Sequence, residues 1–342
     1  MCDDDRSVIS LTDVQDAAAR LATVSVKTPL LSSRDLDALA RGRVFLKAEC
    51  LQHTGSFKIR GAFNRMCRLT PPQAARGVVA WSSGNHAQGV AAAGSLLGIR
   101  TAIVMPEDAP RAKLENTRRL GGETILYDRY SGDREAIARS VAAERGAELV
   151  PSYDHGDIIA GQGTVGLEIV QQCADADVVP DQVLIACSGG GLAAGCAVAI
   201  RGLSPATTVH PVEPADFADT AKSLKVGTRL SNEPGGRSIC DALQAATPGE
   251  LTFEINRRLL AEGLVVTDDQ VRDAMRYAFF NLKLVLEPGG AVTLAAVLAG
   301  KIETAGRVTV LVLSGGNVDP ELFAEILSGQ AGTGGRHQRE GR

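Results

Sequence analysis

At 342 residues, with 44% hydrophobic and 22% charged side chains, the chain has an ordinary soluble globular composition and is long enough for one large domain or two intimate ones. Its 36 basic and 40 acidic residues leave a net charge of -4 with no run of five like charges, which gives nucleic acid or an acidic membrane surface no electrostatic support as a partner. The acidic start MCDDDRS reads against a signal peptide, and no stretch is apolar for the roughly 18 residues of a membrane helix. Seven cysteines, odd in number and without a CxxC pair, fit free thiols in a reducing compartment, so a soluble cytoplasmic protein is expected.

In chain order, the first segment with chemical character is TGSFKIRGAFNRM (54–66). It reads as a helix opening that Thr54 or Ser56 can cap, with Phe57, Ile59, Phe63 and Met66 on its apolar faces. Lys58 falls in the first turn, where the helix dipole disfavours a cation. A lysine is ordinarily a solvated surface residue. A lysine held there has a lowered pKa and a free amine, able to attack an aldehyde and form a Schiff base.

Beyond it, strands and helices alternate. GVVAW (77–81) precedes a helix over 85–97, TAIVMP (101–106) one over 111–120, and ETILY (123–127) one over 133–145. A helix over 161–173 follows, then DQVLIAC (181–187), a helix over 192–202, TTVHPV (207–212), a helix over 268–282 and RVTVLVL (307–313). Several of these strands are apolar without interruption, as expected when both faces are covered. The alternation predicts an α/β protein of parallel sheets, arranged as two domains with a cleft between them. The division expected is 1–55 with 153–328 as the large domain, 56–152 as a small inserted one, and a disordered polar tail over 329–342.

Three loops lie where strands end and helices begin, the places where open α/β sheets bind ligands. SGGG (188–191), between an apolar strand and a small-residue helix, offers backbone N–H groups for a phosphate. Gly189, Gly191, Ala194 and Glu213 also fit a dinucleotide fingerprint, which keeps a nicotinamide-dependent dehydrogenase open as an alternative. SSGNH (82–86) can grip a carboxylate or simply cap its helix, and LSGGN (313–317) ends the last strand.

Together, SFKIRGA, SSGNHAQGVA, IAGQGTVGLEI, SGGGLAAG, VEP, LEPGGAV and LSGGNVD resemble, in order and spacing, the fold-type II pyridoxal-phosphate enzymes of the threonine dehydratase and serine racemase group. The resemblance runs from about residue 10 to 325. It implies a tryptophan-synthase-β-like fold of two doubly wound parallel-sheet domains with the cofactor in the cleft. It makes Lys58 the cofactor-binding lysine with Phe57 beside the ring. Asn85 would contact the phenolic oxygen, Ser188, Gly189, Gly190, Gly191 and Leu192 the phosphate, and Ser314 the pyridine nitrogen. Ser83, Gly84, Asn85 and His86 would bind the substrate carboxylate. Ser83 holds the position of the serine racemase acid/base on the face opposite the lysine.

A serine at the pyridine nitrogen makes the ring a weaker electron sink, which favours prompt loss of a β-leaving group. The reaction implied is removal of the α-proton by Lys58 and departure of the β-hydroxyl as water, giving a 2-oxo acid and ammonia from L-threonine or L-serine. Serine racemase and 3-hydroxyaspartate dehydratase are the alternatives within the group. Relatives that carry a divalent cation would place it on Glu213, the Phe217 carbonyl and Asp219, hard oxygen donors suited to Mg²⁺, Ca²⁺ or Mn²⁺.

The chain departs from the pattern at Cys240-Asp241-Ala242, where the family often has A-D-G, at Ser188, and around Arg134, near a carboxylate-binding position of racemases. The domain ends near 328, leaving no room for a C-terminal regulatory domain, so a catabolic role without isoleucine feedback is expected. A small amino-acid substrate and a homo-oligomer, dimer or tetramer, complete the expectation.

Overall fold

The computed structural model describes residues 9–82, 84–109, 111–128 and 132–329. Ser83 and most of the polar tail lie outside the described residues. In chain order the strands are β1 (Leu30–Ser32), β2 (Arg43–Lys47), β3 (Val78–Trp81), β4 (Thr101–Pro106), β5 (Glu123–Tyr127), β6 (Glu148–Leu149), β7 (Gln182–Ala186), β8 (Thr208–Pro214), β9 (Leu264–Val266) and β10 (Val308–Val312). They form a six-stranded sheet in the order β1-β2-β10-β7-β8-β9 and a four-stranded sheet in the order β5-β4-β3-β6. Every pairing is parallel except β1 with β2.

The unbroken apolar runs are explained by what covers them. In β7, Val183 and Ile185 join one core cluster while Leu184 and Ala186 join the cluster on the opposite face. Adjacent β10 divides the same way, Val310 and Val312 against Leu311. In the smaller sheet Val78, Ala80 and Ile103 face one core, and Val79, Ala102 and Val104 the other. Alternate residues point to opposite faces, so a strand buried on both must be apolar throughout.

The helix expected at 161–173 begins earlier and runs Gly156–Asp175, its first turn capped by His155. It packs closely on the helix Gly191–Leu203. A Cβ on Gly195 would lie 2.2 Å from the Ile159 carbonyl oxygen, so only glycine allows the two backbones this approach. The helix expected over 268–282 is regular for Asp268–Tyr277 and then widens into a π turn, Ala278–Leu282, stopped by Lys283 at φ 59°.

The expected cap at Thr54 or Ser56 is not formed. The helix is Lys58–Met66, its N-cap is Phe57, and no side chain accepts from its first turn. The physical reason is tertiary: Ser56 is extended and bridged to Gly315, and Phe57 N–H donates to the Ser314 carbonyl at 3.3 Å. That pairing sets the entry angle of the chain, and the hydroxyls of Thr54 and Ser56 are buried without a partner.

One turn further, a buried ionic network seats this helix. The Arg60 guanidinium donates to both Glu49 oxygens at 2.8 Å, to both Glu168 oxygens at 2.7 and 3.0 Å, and to Thr164 and the Val26 carbonyl. Lys47 joins through Glu168, Gln172 and the Thr28 carbonyl. Burial lowers the Lys47 pKa despite these carboxylates.

Candidate active site

The site is assembled where three helices begin without side-chain caps. In the helix Gly191–Leu203 the first helical bond joins Ala194 N–H to the Gly190 carbonyl. The N–H groups of Gly191, Leu192 and Ala193 therefore lack an intrahelical acceptor. The carbonyls of this loop are turned the other way and pinned there. Thr252 donates to Gly189 O at 2.6 Å, Gly249 N–H to the same oxygen, and Asn256 to Gly190 O at 3.4 Å. Gly190 sits at φ 96°, and a Cβ there would lie 2.6 Å from Asn256 Nδ2. The result is a set of N–H donors at a positive helix end, suited to a phosphate. The Ser188 hydroxyl accepts from Ala245 N–H at 3.1 Å, tying the loop to the segment after Asp241–Leu243.

The helix Asn85–Leu97 repeats the device. Its N-cap is Gly84, no side chain caps it, and the first helical bond is Gln88 N–H to Gly84 O at 3.3 Å. The N–H groups of Asn85, His86 and Ala87 are thereby left for an anion. The His86 ring contributes differently. Its Nε2 lies 2.9 Å from the Val150 carbonyl, which requires that nitrogen to carry the proton, and its buried Nδ1 has no partner. Burial, then the Lys58 charge, drives its pKa down to about 3, so the ring is neutral and Nδ1 is an acceptor. A carboxylate here would bind the backbone N–H groups and not this ring.

Lys58 opens the third helix and packs its backbone on the second, where a Cβ on Gly89 would touch it. Its Nζ donates to the Ser152 carbonyl at 2.8 Å and lies 5.3 Å from the Phe57 ring centroid. Burial pulls the ammonium pKa down to about 8, partly countered by Glu287. Next along the chain from Ser152, Tyr153 lies against Gly189 and Gly191, so the lysine and the glycine loop share one wall.

Ser314, whose carbonyl accepts from Phe57 N–H, is buried with its hydroxyl near the Gly289 carbonyl. Beside it stands Glu287, which the motif reading passed over. This buried carboxyl accepts from Asn85 Nδ2 at 2.5 Å, and Asn317 donates to Asn85 Oδ1 at 2.7 Å. Burial and then Asp241 push the Glu287 pKa up to about 7. Its sequence signal was the glutamate of LEPGGAV, before a helix that starts at Pro288.

The donors fit pyridoxal phosphate. A buried amine, a glycine loop with unsatisfied N–H groups, an amide and an uncharged hydroxyl match its aldehyde, phosphate, phenolic oxygen and ring nitrogen. Arg134 opens the helix Arg134–Arg145 and its charge is felt by Tyr153. The second predicted site adjoins the glycine loop, where the Thr220 hydroxyl donates to the Ser188 carbonyl at 3.4 Å. Glu213 accepts from Thr220 N–H at 3.1 Å and Ala221 N–H at 2.7 Å, capping the helix Asp219–Val226. Asn232 donates to Asp219 Oδ1 at 2.7 Å while Asp219 Oδ2 is buried with no partner. Burial and then Asp219 push Glu213 up to about 8; burial alone takes Asp219 to about 6. Phe217 ends the turn between them. Among the described residues no three His, Cys, Asp or Glu side chains cluster to hold a metal, so a cation here would rest on two carboxyls and a carbonyl. Each Glu213 oxygen accepts one backbone N–H and keeps a lone pair for a cation.

Six cysteines among the described residues are free, and no helix there is long and apolar enough to cross a membrane. The family profile "Pyridoxal-phosphate dependent enzyme" matches residues 22–315, and the dinucleotide alternative gives way to that match. An L-threo-3-hydroxyaspartate ammonia-lyase of a Pseudomonas species is 41% identical over 94% of this chain and 99% of its own. A threonine deaminase from T.th. superposes with a TM-score of 0.85 at 43% identity, over 91% of this chain and 99% of that one. Maize serine racemase gives a TM-score of 0.88 at 35% identity, over 94% and 98%.

Proposed function

This chain belongs to the family of pyridoxal-phosphate dependent enzymes, and on that premise we propose that it is an ammonia-lyase that eliminates water from a small β-hydroxy amino acid: L-threonine, L-serine or 3-hydroxyaspartate. Its fold is the two-sheet α/β arrangement of the fold-type II group. When bound, pyridoxal phosphate supplies an aldehyde for the Lys58 amine and a ring that stabilises charge developing at the substrate α-carbon.

The observation that carries the reading is the buried Lys58 amine, drawn towards neutrality and sharing a wall with the donor-lined glycine loop. Ser188, Gly189, Gly190, Gly191 and Leu192 hold the phosphate by backbone N–H groups, the Ser188 hydroxyl bracing the loop. Phe57 would flank the ring, Asn85 would hold the phenolic oxygen and Ser314 would offer the pyridine nitrogen a hydroxyl in place of a charge. The uncapped turn from Gly84 to His86 would receive the substrate carboxylate, and Ser83 would share that role and serve as the acid/base, as the family resemblance implies. Lys58 would remove the α-proton and return a proton to the β-hydroxyl, which departs as water. Glu213, the Phe217 carbonyl and Asp219 hold Mg²⁺, Ca²⁺ or Mn²⁺ as a structural ion, which would relieve two adjacent buried carboxyl groups. The division at 55/56 and 152/153, a homodimer or homotetramer and a cytoplasmic setting belong to the same proposal.

Serine racemisation is the second reading, favoured by the likeness to the maize enzyme over nearly its whole length. A panel of L- and D-serine, threonine and 3-hydroxyaspartate isomers, assayed for 2-oxo acid and for inversion, separates the two. Dominant 2-oxo acid formation supports elimination; dominant inversion overturns it while leaving the cofactor assignment intact.

A further inference from the structure

Lys113 has no role in the reading above, yet it stands at the mouth of the site. It lies on the helix Arg111–Arg119, between two strands of the smaller sheet, and pairs with Asp241, which opens the short turn Asp241–Leu243 beside the larger sheet. The two are 128 residues apart in sequence. Their exposures are unequal: the Lys113 side chain is 13% exposed and Asp241 51%. The cation is thus inside and its partner is on the rim.

The direction of the ammonium matters more. Nζ is 4.0 Å from where a Cβ on Gly84 would stand, which places it in front of the uncapped turn that receives a carboxylate. Lys113 and Asp241 also both act on the buried Glu287, which itself touches Asn85. A cation at this place, held by a rim carboxylate that water can take over, is a site built for exchange. Threonine and serine offer it a methyl group or hydrogen; a dicarboxylic hydroxy amino acid offers a second carboxylate.

We infer that Lys113 is the specificity-determining residue that receives the distal carboxylate of a 2-amino-3-hydroxy dicarboxylic acid, the substrate carboxylate replacing Asp241 as its partner. This rests on the elimination reading and narrows its substrate class. An ammonium–carboxylate hydrogen bond lost from a largely buried place weakens binding by roughly 10- to 100-fold. Asp241 competes for the cation, so its neutralisation strengthens the same interaction.

The test uses the holoenzyme and its variants Lys113→Met and Asp241→Asn, with kcat/KM measured for L-threo-3-hydroxyaspartate, L-threonine and L-serine. Lys113→Met is expected to lower kcat/KM for the dicarboxylic substrate by roughly 10- to 100-fold relative to its effect on the other two. Asp241→Asn is expected to leave the dicarboxylic substrate unharmed or improved. Succinate, which has the same four-carbon span and no group to eliminate, is titrated in parallel by the fluorescence of Trp81, the single tryptophan, at the end of β3. Its binding should weaken in Lys113→Met and tighten in Asp241→Asn. Equal losses for all three substrates in Lys113→Met would put the ammonium on the shared α-carboxylate or in a latch between the two elements and overturn the inference, as would an unchanged dicarboxylic kcat/KM or unchanged succinate binding in Lys113→Met. Failure of the elimination reading looks different: the unsubstituted enzyme would form no 2-oxo acid from any of the three, while succinate would still report on Lys113.

Discussion

Replacing Arg60 by methionine tests the seat of Lys58, the proposed cofactor lysine. Arg60 follows Lys58 by two residues, its side chain is fully buried, and it donates to both oxygens of Glu49 and both of Glu168. Methionine fills much of the volume but leaves the equally buried Glu49 with a single side-chain donor, the Thr28 hydroxyl at 2.5 Å. Breaking a buried pair on one side costs about 3–5 kcal/mol, because the remaining charge is neither solvated nor compensated. Removing both charges costs much less, so Arg60→Met with Glu49→Gln should recover a large part of the loss. The assay is urea unfolding of the holoenzyme followed by Trp81 fluorescence and circular dichroism, with the two single variants and the double variant closing a cycle. A loss below about 1 kcal/mol for Arg60→Met, the worth of an exposed pair, would refute the reasoning. So would strict additivity in the cycle.

Other consequences are independent of that network. Gly190→Ala places a Cβ 2.6 Å from Asn256 Nδ2 at φ 96°. Left-handed strain of about 1–2 kcal/mol plus displaced anchors should lower pyridoxal-phosphate affinity roughly tenfold or more in an equilibrium titration; unchanged affinity would remove the loop from the phosphate site. Glu287 has its folded pKa raised from 4.5 to about 7, so the folded state holds this proton more tightly than the unfolded one. That stabilisation is complete below about pH 4.5 and lost as pH rises through 7, hence Glu287→Gln should gain in melting temperature over the unsubstituted protein across that window. A difference that is flat with pH would contradict it. Added Mg²⁺, Ca²⁺ or Mn²⁺ should raise the melting temperature, and Asp219→Asn should abolish the effect; indifference of the unsubstituted protein to both EDTA and these ions would end the metal assignment.

The parts of the fold legible in the sequence are those with a strong local period. The helix expected over 85–97 is observed as Asn85–Leu97, and strands over 101–106 and 123–127 are observed as Thr101–Pro106 and Glu123–Tyr127. Unbroken apolar runs bounded by glycine leave little choice. Leu30–Ser32, Glu148–Leu149 and Leu264–Val266 are too short to show any period, and they sit at sheet edges. The misplaced cap at Thr54 or Ser56 followed a sound local rule that the Ser56–Gly315 bridge overrides.

The candidate site divides in the same way. Glycine loops announce themselves because a cradle needs consecutive residues, and Lys58, Asn85 and Ser314 came with their motifs. Glu287 meets Asn85 across 202 residues, and Arg60 meets Glu168 across 108. Both glutamates lie inside quoted motifs, LEPGGAV and IAGQGTVGLEI, but their partners are chosen by the packing of the sheets and nothing in the flanking residues names them. Lys113 is a further case, since a lysine in the strongly basic stretch RAKLENTRR reads as solvated surface until Asp241 is placed beside it.

The central claim is that Lys58 holds pyridoxal phosphate and moves the substrate proton. The most direct measurement is the visible absorbance and 2-oxo acid formation of Lys58→Ala, saturated with pyridoxal phosphate, beside the unsubstituted enzyme. Loss of both the lysine-bound cofactor band and the activity is predicted. Retention of that band, or of activity without an added amine, would contradict it.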